Sequence, residues 1–425
     1  MKVLVCGASG FIGHAICERL AAAGHEVLRG VRRPERHGDV AIDYRADLQL
    51  SDWLDRLRSV DAVVNAVGII RESGAASFEM LHTRAPAALF AACAAAGVGR
   101  VVQISALGAD SGDAAYFTSK RAADEALMAL PLEWFVLRPS LLFGPDGASA
   151  AMFCRFASMP LIVAPALGKA RFQPLHVDDL AEAVMAALCP ATPARRVLDL
   201  AGGSAVGYGG MLAAYRKGMG FPPAPVLQIP ATVMACAAWA GQFRGALLTP
   251  ETWRMLRAGS ALPESCAAGA APIRALLGRP PRAIADFIPP AERELFRLRA
   301  LAGWRSALLR WTLAMVWLAT AIVSAFIHPR ADSLAMLAHV GLEDMPAIAA
   351  LYGAAALDTV LGIACIVRPC RALWLAQGAL VIGYSAMIAA CLPEYLWHPF
   401  GPLLKNLPIL AILFVLFAEE KTWTT

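Results

Sequence analysis

Through the first 200 residues, short apolar runs alternate with longer stretches that repeat apolar positions at helical spacing. The runs 2–6, 26–31, 61–68, 100–105 and 133–140 are rich in Val, Ile and Leu and read as strands, and "RRVLDLA" (195–201) adds a further one. Between the first two, Phe11 to about Ala23 has the spacing of an amphipathic helix, ended by Gly24. Regular alternation of strand and helix predicts an α/β domain with a doubly wound parallel sheet. Beyond residue 300 the pattern changes. Leu308–Ile327, Ala347–Val367 (interrupted by Asp358), Ala372–Leu392 and the shorter Leu407–Ala418 are almost wholly apolar. A helix crossing a bilayer needs about 20 such residues. These runs predict an all-α membrane domain of four spans, the last completed by Leu403 and Leu404. The expected organisation is a nucleotide-binding domain over 1–290, a basic juxtamembrane linker over 291–306, and a membrane domain over 307–420. Residues 205–290 read as the substrate side of the first domain. Within them, the apolar stretch 231–243 has two readings, core packing or contact with a bilayer or lipophilic ligand, and core packing is the expectation.

Hydrophobic residues make up 58% and charged residues 17% of the 425, a bias that the C-terminal runs explain. The net charge of +5 is spread out, and no Lys/Arg cluster interleaves with aromatics, which argues against nucleic acid as a partner. The ten cysteines show neither a C-x-x-C pair nor metal-ligand spacing, so no metal is expected and a reducing compartment fits the first domain. The apolar run at the N-terminus is too short for a secretory signal. Arg297, Arg299, Arg305 and Arg310 lie before or at the start of the first span, and Arg368 and Arg371 fill the connection between the second and third. Positive charge marks the cytoplasmic side. The expectation is a multi-pass protein of a bacterial inner membrane, with the nucleotide-binding domain and both termini in the cytoplasm.

Candidate chemistry sits at the ends of the predicted strands. Gly7, Gly10 and Gly13 follow the first strand and open the first helix, the context in which a glycine loop lets backbone approach a pyrophosphate at a helix N-terminus. Ser9, Phe11 and Ile12 complete that loop. An NAD-specific site would place an acid after the second strand. This chain has Arg29, Arg32 and Arg33 there and no acid until Glu35. Arginine suits a 2′-phosphate, so NADP(H) is favoured over NAD(H), with Arg32 the first candidate and Arg33 the second. Asp47, Leu48, Asn65–Gly68, Ser105 and Arg138-Pro139-Ser140 fall at or near strand ends, where ligands bind in such sheets.

"GASGFIG" (7–13), "ADL" (46–48), "NAVG" (65–68), Ser105 in "ISALGA" and the pair Tyr116/Lys120 in "AYFTSKR" together resemble the short-chain dehydrogenase/reductase superfamily, a Rossmann-like fold. "LRPSLLFGP" (137–145) and "FQPLHVDDLAEAV" (172–184) look like its extended and atypical branches. Those branches include epimerase-like proteins and the nucleotide-binding accessory subunit of respiratory complex I. The resemblance implies cofactor contacts from Gly7, Ser9, Gly10, Phe11, Ile12, Gly13, Asp47, Leu48, Asn65, Ala66, Val67, Gly68 and Pro139, with Tyr116, Lys120 and Ser105 catalytic. Lys120 would lower the phenol's pKa and hold the cofactor ribose. Tyr116 would exchange a proton with a substrate oxygen, and Ser105 would hydrogen-bond that oxygen. "FIHPRADS" and "LWHPFGPLLKNLPIL" resemble the DoxX-like membrane family, whose namesake is associated with quinone-linked oxidation. Asp358, inside a span, is a functional candidate because an unpaired charge there is costly. His328, His398, Lys405 and Asn406 would meet only if the outer loops converge. The expected activity is oxidoreduction of a carbonyl or hydroxyl on an unidentified, lipophilic or quinone-like small molecule. The rivals are a non-catalytic cofactor-binding subunit of a membrane complex and an NAD-dependent sugar-nucleotide epimerase or dehydratase.

Overall fold

The computed structural model describes the chain except residues 75, 243–247, 264–270, 397–402 and 421–425. It divides into two compact units, Met1–Ala300 and Leu301–Thr425. The first unit begins β1 (Lys2–Cys6), α1 (Phe11–Ala22), β2 (Glu26–Val31), β3 (Asp39–Ala41), α2 (Ser51–Leu54) and β4 (Ala62–Asn65). A π-helical turn, Glu79–Arg84, leads into α3 (Ala85–Ala96), then β5 (Arg100–Ile104), α4 (Ala115–Met128) and β6 (Glu133–Pro139). There follow β7 (Leu142–Phe143), α5 (Ala148–Ala157), β8 (Ile162–Pro165), β9 (Leu175–His176), α6 (Val177–Leu188) and β10 (Arg196–Leu200). The unit continues with α7 (Tyr208–Gly218), β11 (Val226–Ile229), α8 (Ala231–Gln242), α9 (Pro250–Ala258) and α10 (Ala271–Leu277).

Seven strands form one parallel sheet in the order β10-β6-β5-β4-β1-β2-β3. The direction of winding reverses between β1 and β4, and the crevice outside their carboxyl ends is where such sheets bind ligands. Alternate residues of the central strands feed opposite cores. Val3, Val5, Val64 and Val102 pack with α1 and α6, whereas Leu4, Val63, Val101 and Val136 pack with α3 and α4. The short β3 escaped sequence reading because three residues carry too little periodicity to show. Its register pairs Asp39 with Arg29, and the two side chains form an ion pair at 3.1 Å.

A third cluster, around Phe143, Tyr215, Phe287 and Ile288, builds the region that read only as the substrate side. It takes in Phe296 and Ala300, beyond the boundary expected at residue 290. Phe296 lies on α11 (Arg293–Ile322), so the basic segment expected as a linker is largely helix and continuous with the first apolar run.

The second unit adds α12 (Arg330–Ala338), α13 (Asp344–Val367), α14 (Arg371–Cys391) and α15 (Asn406–Glu419). Among the described residues, three helices are long and apolar enough to cross a membrane: Arg293–Ile327, Asp344–Val367 and Arg371–Cys391. The 14 residues of α15 rise about 21 Å at 1.5 Å each, short of a hydrocarbon core of roughly 30 Å. Gly362 lets α13 approach α11 closely, since a Cβ there would stand 2.8 Å from Leu318. Inside the unit, Trp317 Nε1 donates to Gln377 Oε1 at 2.9 Å, and Gln377 Nε2 to Cys365 Sγ at 3.2 Å. Asp358 is buried, and its Oδ1 has no hydrogen-bond partner among the described residues. Asn406 Nδ2 donates to Ser385 Oγ at 2.8 Å, and His398 lies outside the described residues.

Candidate active site

The glycine loop forms where β1 ends. Gly7 has φ +83°, the left-handed region that favours glycine. A Cβ on Gly13 would stand 2.1 Å from Gly7 O, so α1 reaches the loop this closely only without a side chain there. Gly10 caps α1 with no side-chain hydrogen bond, and the first turn holds no acid. Its free amides and partial positive charge are therefore offered to an anion. Ser9 is exposed beside this turn, and Phe11 and Ile12 are half-buried. The Phe11 ring rests against Gly144 and Gly147, where added Cβ atoms would meet it at 2.7 and 3.1 Å. This cradle fits the pyrophosphate of a dinucleotide.

Two residues expected to touch the cofactor are committed elsewhere. Asn65 is buried; its Oδ1 accepts from Tyr44 Oη at 2.8 Å and Val67 N at 3.2 Å, while its Nδ2 donates to Gln103 Oε1 at 2.7 Å. It holds the turn Ala66–Gly68 in shape rather than presenting a free amide. Asp47 Oδ2 accepts from Asp43 N at 2.7 Å, and its carboxylate pairs with Arg56 at 2.8 Å. It closes its own loop, while Leu48 is half-buried against the core beside β4. Arg32 and Arg33 are exposed and make no hydrogen bond or ion pair among the described residues. Arg32 does act on the charge of Asp43, whose carboxyl is held low chiefly by its hydrogen bonds from Arg45.

Tyr116, Lys120 and Asp124 recur at four-residue spacing and so share one face of α4. Lys120 is buried, and its Nζ donates to Val67 O at 3.3 Å and Ile104 O at 3.1 Å, at the carboxyl ends of β4 and β5. Gly68 makes room for it, since a Cβ there would stand 3.1 Å from Nζ. Burial pushes the ammonium down to about 8, with Asp124 opposing. Tyr116 packs edge-on to Phe78 and His82 with ring centroids 6.1 and 5.6 Å away. Burial pushes its phenol up to about 12. The lowering expected from Lys120 does not appear, and desolvation alone sets the direction. Ser105 also departs from expectation: its Oγ donates to Asp124 Oδ2 at 2.8 Å. Asp124, fully buried, accepts from Arg138 Nε at 3.2 Å, and burial raises its carboxyl. Pro139, the last residue of β6, accepts from Leu107 N at 2.9 Å and so steadies the loop after Ser105.

Sequence reasoning missed Asp124, His82 and Glu251, and it placed Arg138 at a strand end without a role. Asp124 was signalled by its place four residues after Lys120. His82 Nε2 accepts from Ile69 N at 3.0 Å, so its proton is on Nδ1, facing Ser119 Oγ at 3.0 Å. Ser119 Oγ in turn donates to Tyr116 O at 2.9 Å. Burial, reinforced by Lys120, pushes His82 down to about 2, keeping it neutral. Glu251 Oε1 accepts from Tyr116 N at 3.0 Å, satisfying an amide at the start of α4 from 135 residues away. Such a long-range partner leaves no local trace in sequence.

Residues 3–197 match the NAD dependent epimerase/dehydratase family, and residues 314–414 the DoxX-like family. The chain joins an epimerase-type NAD(P)-binding domain to a DoxX-like domain. The first domain is 32% identical over 201 residues to the mitochondrial NADH dehydrogenase [ubiquinone] 1 alpha subcomplex subunit 9 of Arabidopsis thaliana, over 43% of this chain and 49% of that protein. It is 29% identical over 214 residues to a ceramide reductase of Caulobacter vibrioides, over 48% of this chain and 66% of that one. The chain thus spans about half to two thirds of the length of these curated relatives. Among solved structures, an NADPH-dependent quinone oxidoreductase of Escherichia coli superposes with a TM-score of 0.53 at 18% identity, over 68% of this chain and 98% of that one. A UDP-N-acetylglucosamine 4-epimerase of Bacillus cereus gives 0.52 at 19%, over 70% and 96%. At that identity these two likenesses establish the shared fold.

Proposed function

We propose that this chain is a membrane-anchored, NADP(H)-dependent oxidoreductase that reduces a carbonyl on a lipophilic small molecule. The observation that carries this is the placement of Lys120 Nζ against Val67 O and Ile104 O, at the sheet edge that also holds the glycine loop, with Tyr116 one turn away on α4. The bound nicotinamide supplies a hydride. The chain's own residues do the rest. The α1 N-terminus and Gly7 hold the pyrophosphate, Arg32 and Arg33 reach the 2′-phosphate, and Lys120 holds the ribose. Tyr116, a phenol that carries its proton at neutral pH, gives that proton to the carbonyl oxygen. Ser105 donates its proton to Asp124 Oδ2, so it hydrogen-bonds that oxygen only after its hydroxyl turns from Asp124 to the substrate.

Arg32, where an NAD site would place an acid, favours reduction with NADP(H) over the epimerase reading, which uses tightly held NAD. The ceramide reductase relative supports a lipid carbonyl, and the anchoring domain supports access from a bilayer. The non-catalytic reading draws on the complex I relative and on the diversion of the Ser105 proton to Asp124. The orientation is cytoplasmic for the first domain, and α15, extended by the preceding residues, completes four spans. The experiment is NADPH consumption by the full chain in proteoliposomes, offered ketones of increasing chain length. Turnover that rises with chain length supports the proposal. No consumption with any carbonyl or quinone favours the non-catalytic subunit.

A further inference from the structure

From Pro222 to Phe243 the chain holds no Asp, Glu, Lys, Arg or His. Buried, such a segment would be ordinary core, and core packing was the expectation for 231–243. The structure places it outside. On α8, Thr232, Val233, Ala235, Cys236, Ala237, Trp239 and Ala240 are exposed, with Val233 at 54% and Trp239 at 62%. Ala238 and Gly241 turn inward, and α8 packs against α9. The exposed apolar face runs on along the chain. One residue before α8, β11 pairs in parallel with β8, and the register partners Leu227 and Val163 are 49% and 43% exposed. Val226 and Leu161 beside them are 47% and 43% exposed. An exposed apolar strand pair and an exposed apolar helix face thus stand one residue apart in the chain, more than scattered single residues account for. Basic side chains stand on the neighbouring element: Arg254 and Arg257 of α9 are exposed.

We propose that α8, with the edge formed by β8 and β11, lies in the membrane interface. The occupant follows from the chain itself. Its three spanning helices keep the first unit at a bilayer surface, so lipid is always within reach. An apolar helix face with arginines at its border is the pattern of a helix lying in the plane of the headgroups. Trp239 is the residue type enriched at that depth. Arg254 and Arg257 supply charge for anionic headgroups. Glu251, one turn earlier on α9, accepts the amide of Tyr116, so the lipid-facing pair is fastened to the helix carrying Tyr116. This surface does not depend on the enzymatic proposal and would serve a non-catalytic subunit equally.

The test uses the full chain in vesicles of phosphatidylcholine and phosphatidylglycerol. Single cysteines replace Val233, Ala237 and Ala240 in turn, with Arg58→Cys as an aqueous control. Cys189, Cys236, Cys266, Cys370 and Cys391 are changed to serine, the remaining native cysteines being buried, and each variant carries a nitroxide. Collision with oxygen and with a water-soluble nickel chelate reports depth. The expected result is high oxygen and low nickel accessibility on α8, placing the labels about 5–10 Å below the headgroups, and the reverse at residue 58. High nickel accessibility on α8 overturns the proposal in favour of free solvent. Low accessibility to both reagents overturns it in favour of a protein partner, whether the chain's own helices or a second copy. A second measurement needs no label: bromolipids should quench the unmodified chain more than Trp239→Phe. Equal quenching contradicts lipid contact.

Discussion

Replacing Asp124 by alanine should loosen the centre of the first domain without touching any surface. Asp124 is fully buried and accepts from Ser105 Oγ at 2.8 Å and Arg138 Nε at 3.2 Å. Arg138 is itself only 8% exposed, so Asp124→Ala removes its hydrogen-bonded charge partner and leaves only the attraction of Asp199 on β10. Breaking a buried pair by removing one member costs about 3–5 kcal/mol. Asp124→Asn keeps an acceptor for one of the two donors and should cost about 1–3 kcal/mol. Because the two compact units make global denaturation a composite, the assay is native-state hydrogen exchange on the full chain, read on peptides covering β5, α4 and β6. At 1.4 kcal/mol per factor of ten, the loss for Asp124→Ala corresponds to roughly 100- to 4,000-fold faster exchange of the most protected amides. Exchange within about threefold of the unmodified chain, less than 1 kcal/mol, would refute the claim that this pair anchors Ser105 at the centre of the domain.

The domain should bind NADPH more tightly than NADH, and Arg32→Ala should narrow that gap, because charge-assisted contacts to a phosphate are the strong kind; equal affinities in the unmodified chain by calorimetry would contradict this. Burial holds Lys120 near 8 when folded against 10.5 when free. The unfolded chain therefore binds more protons across that window, and exchange-derived stability should rise with pH from about 8 to 10.5, an effect that Lys120→Met should flatten. NADPH affinity should fall as pH rises through about 8, because the neutral amine is the weaker donor. A chain cut at Pro290 should bind dye at newly exposed apolar surface, since Phe296 and Ala300 belong to the cluster around Phe143, whereas a chain cut just after Ala300 should not.

The sheet was legible because parallel strands buried on both faces read as unbroken apolar runs. The glycine loop was legible because strand, glycines and helix follow one another directly. The face of α4 was legible as far as Tyr116 and Lys120, because helical spacing is local. What escaped depends on distance. Nothing near Asn65 in sequence says that Tyr44 and Gln103 saturate its amide. Nothing near Ser105 says that Asp124 takes its proton. The pKa of Tyr116 was expected to fall because charge type is visible in a sequence, but desolvation is a property of the packed site and sets the direction. For α8 the apolar composition was plain, yet composition does not say which side of the surface a helix lies on. The domain boundary slipped for a similar reason: α11 is one continuous helix, and only its packing divides it between the two units.

The central claim is that Tyr116 gives its proton to a substrate oxygen while the glycine loop and Lys120 hold the dinucleotide. The most direct measurement compares the unmodified chain with Tyr116→Phe in proteoliposomes, recording NADPH binding and single-turnover NADPH oxidation on the same preparations. The phenylalanine ring keeps the packing against Phe78 and His82 and removes only the hydroxyl. The account predicts unchanged NADPH affinity and oxidation slowed by about 10²–10⁴, the usual contribution of a positioned proton donor. Oxidation at the full rate in Tyr116→Phe would contradict it.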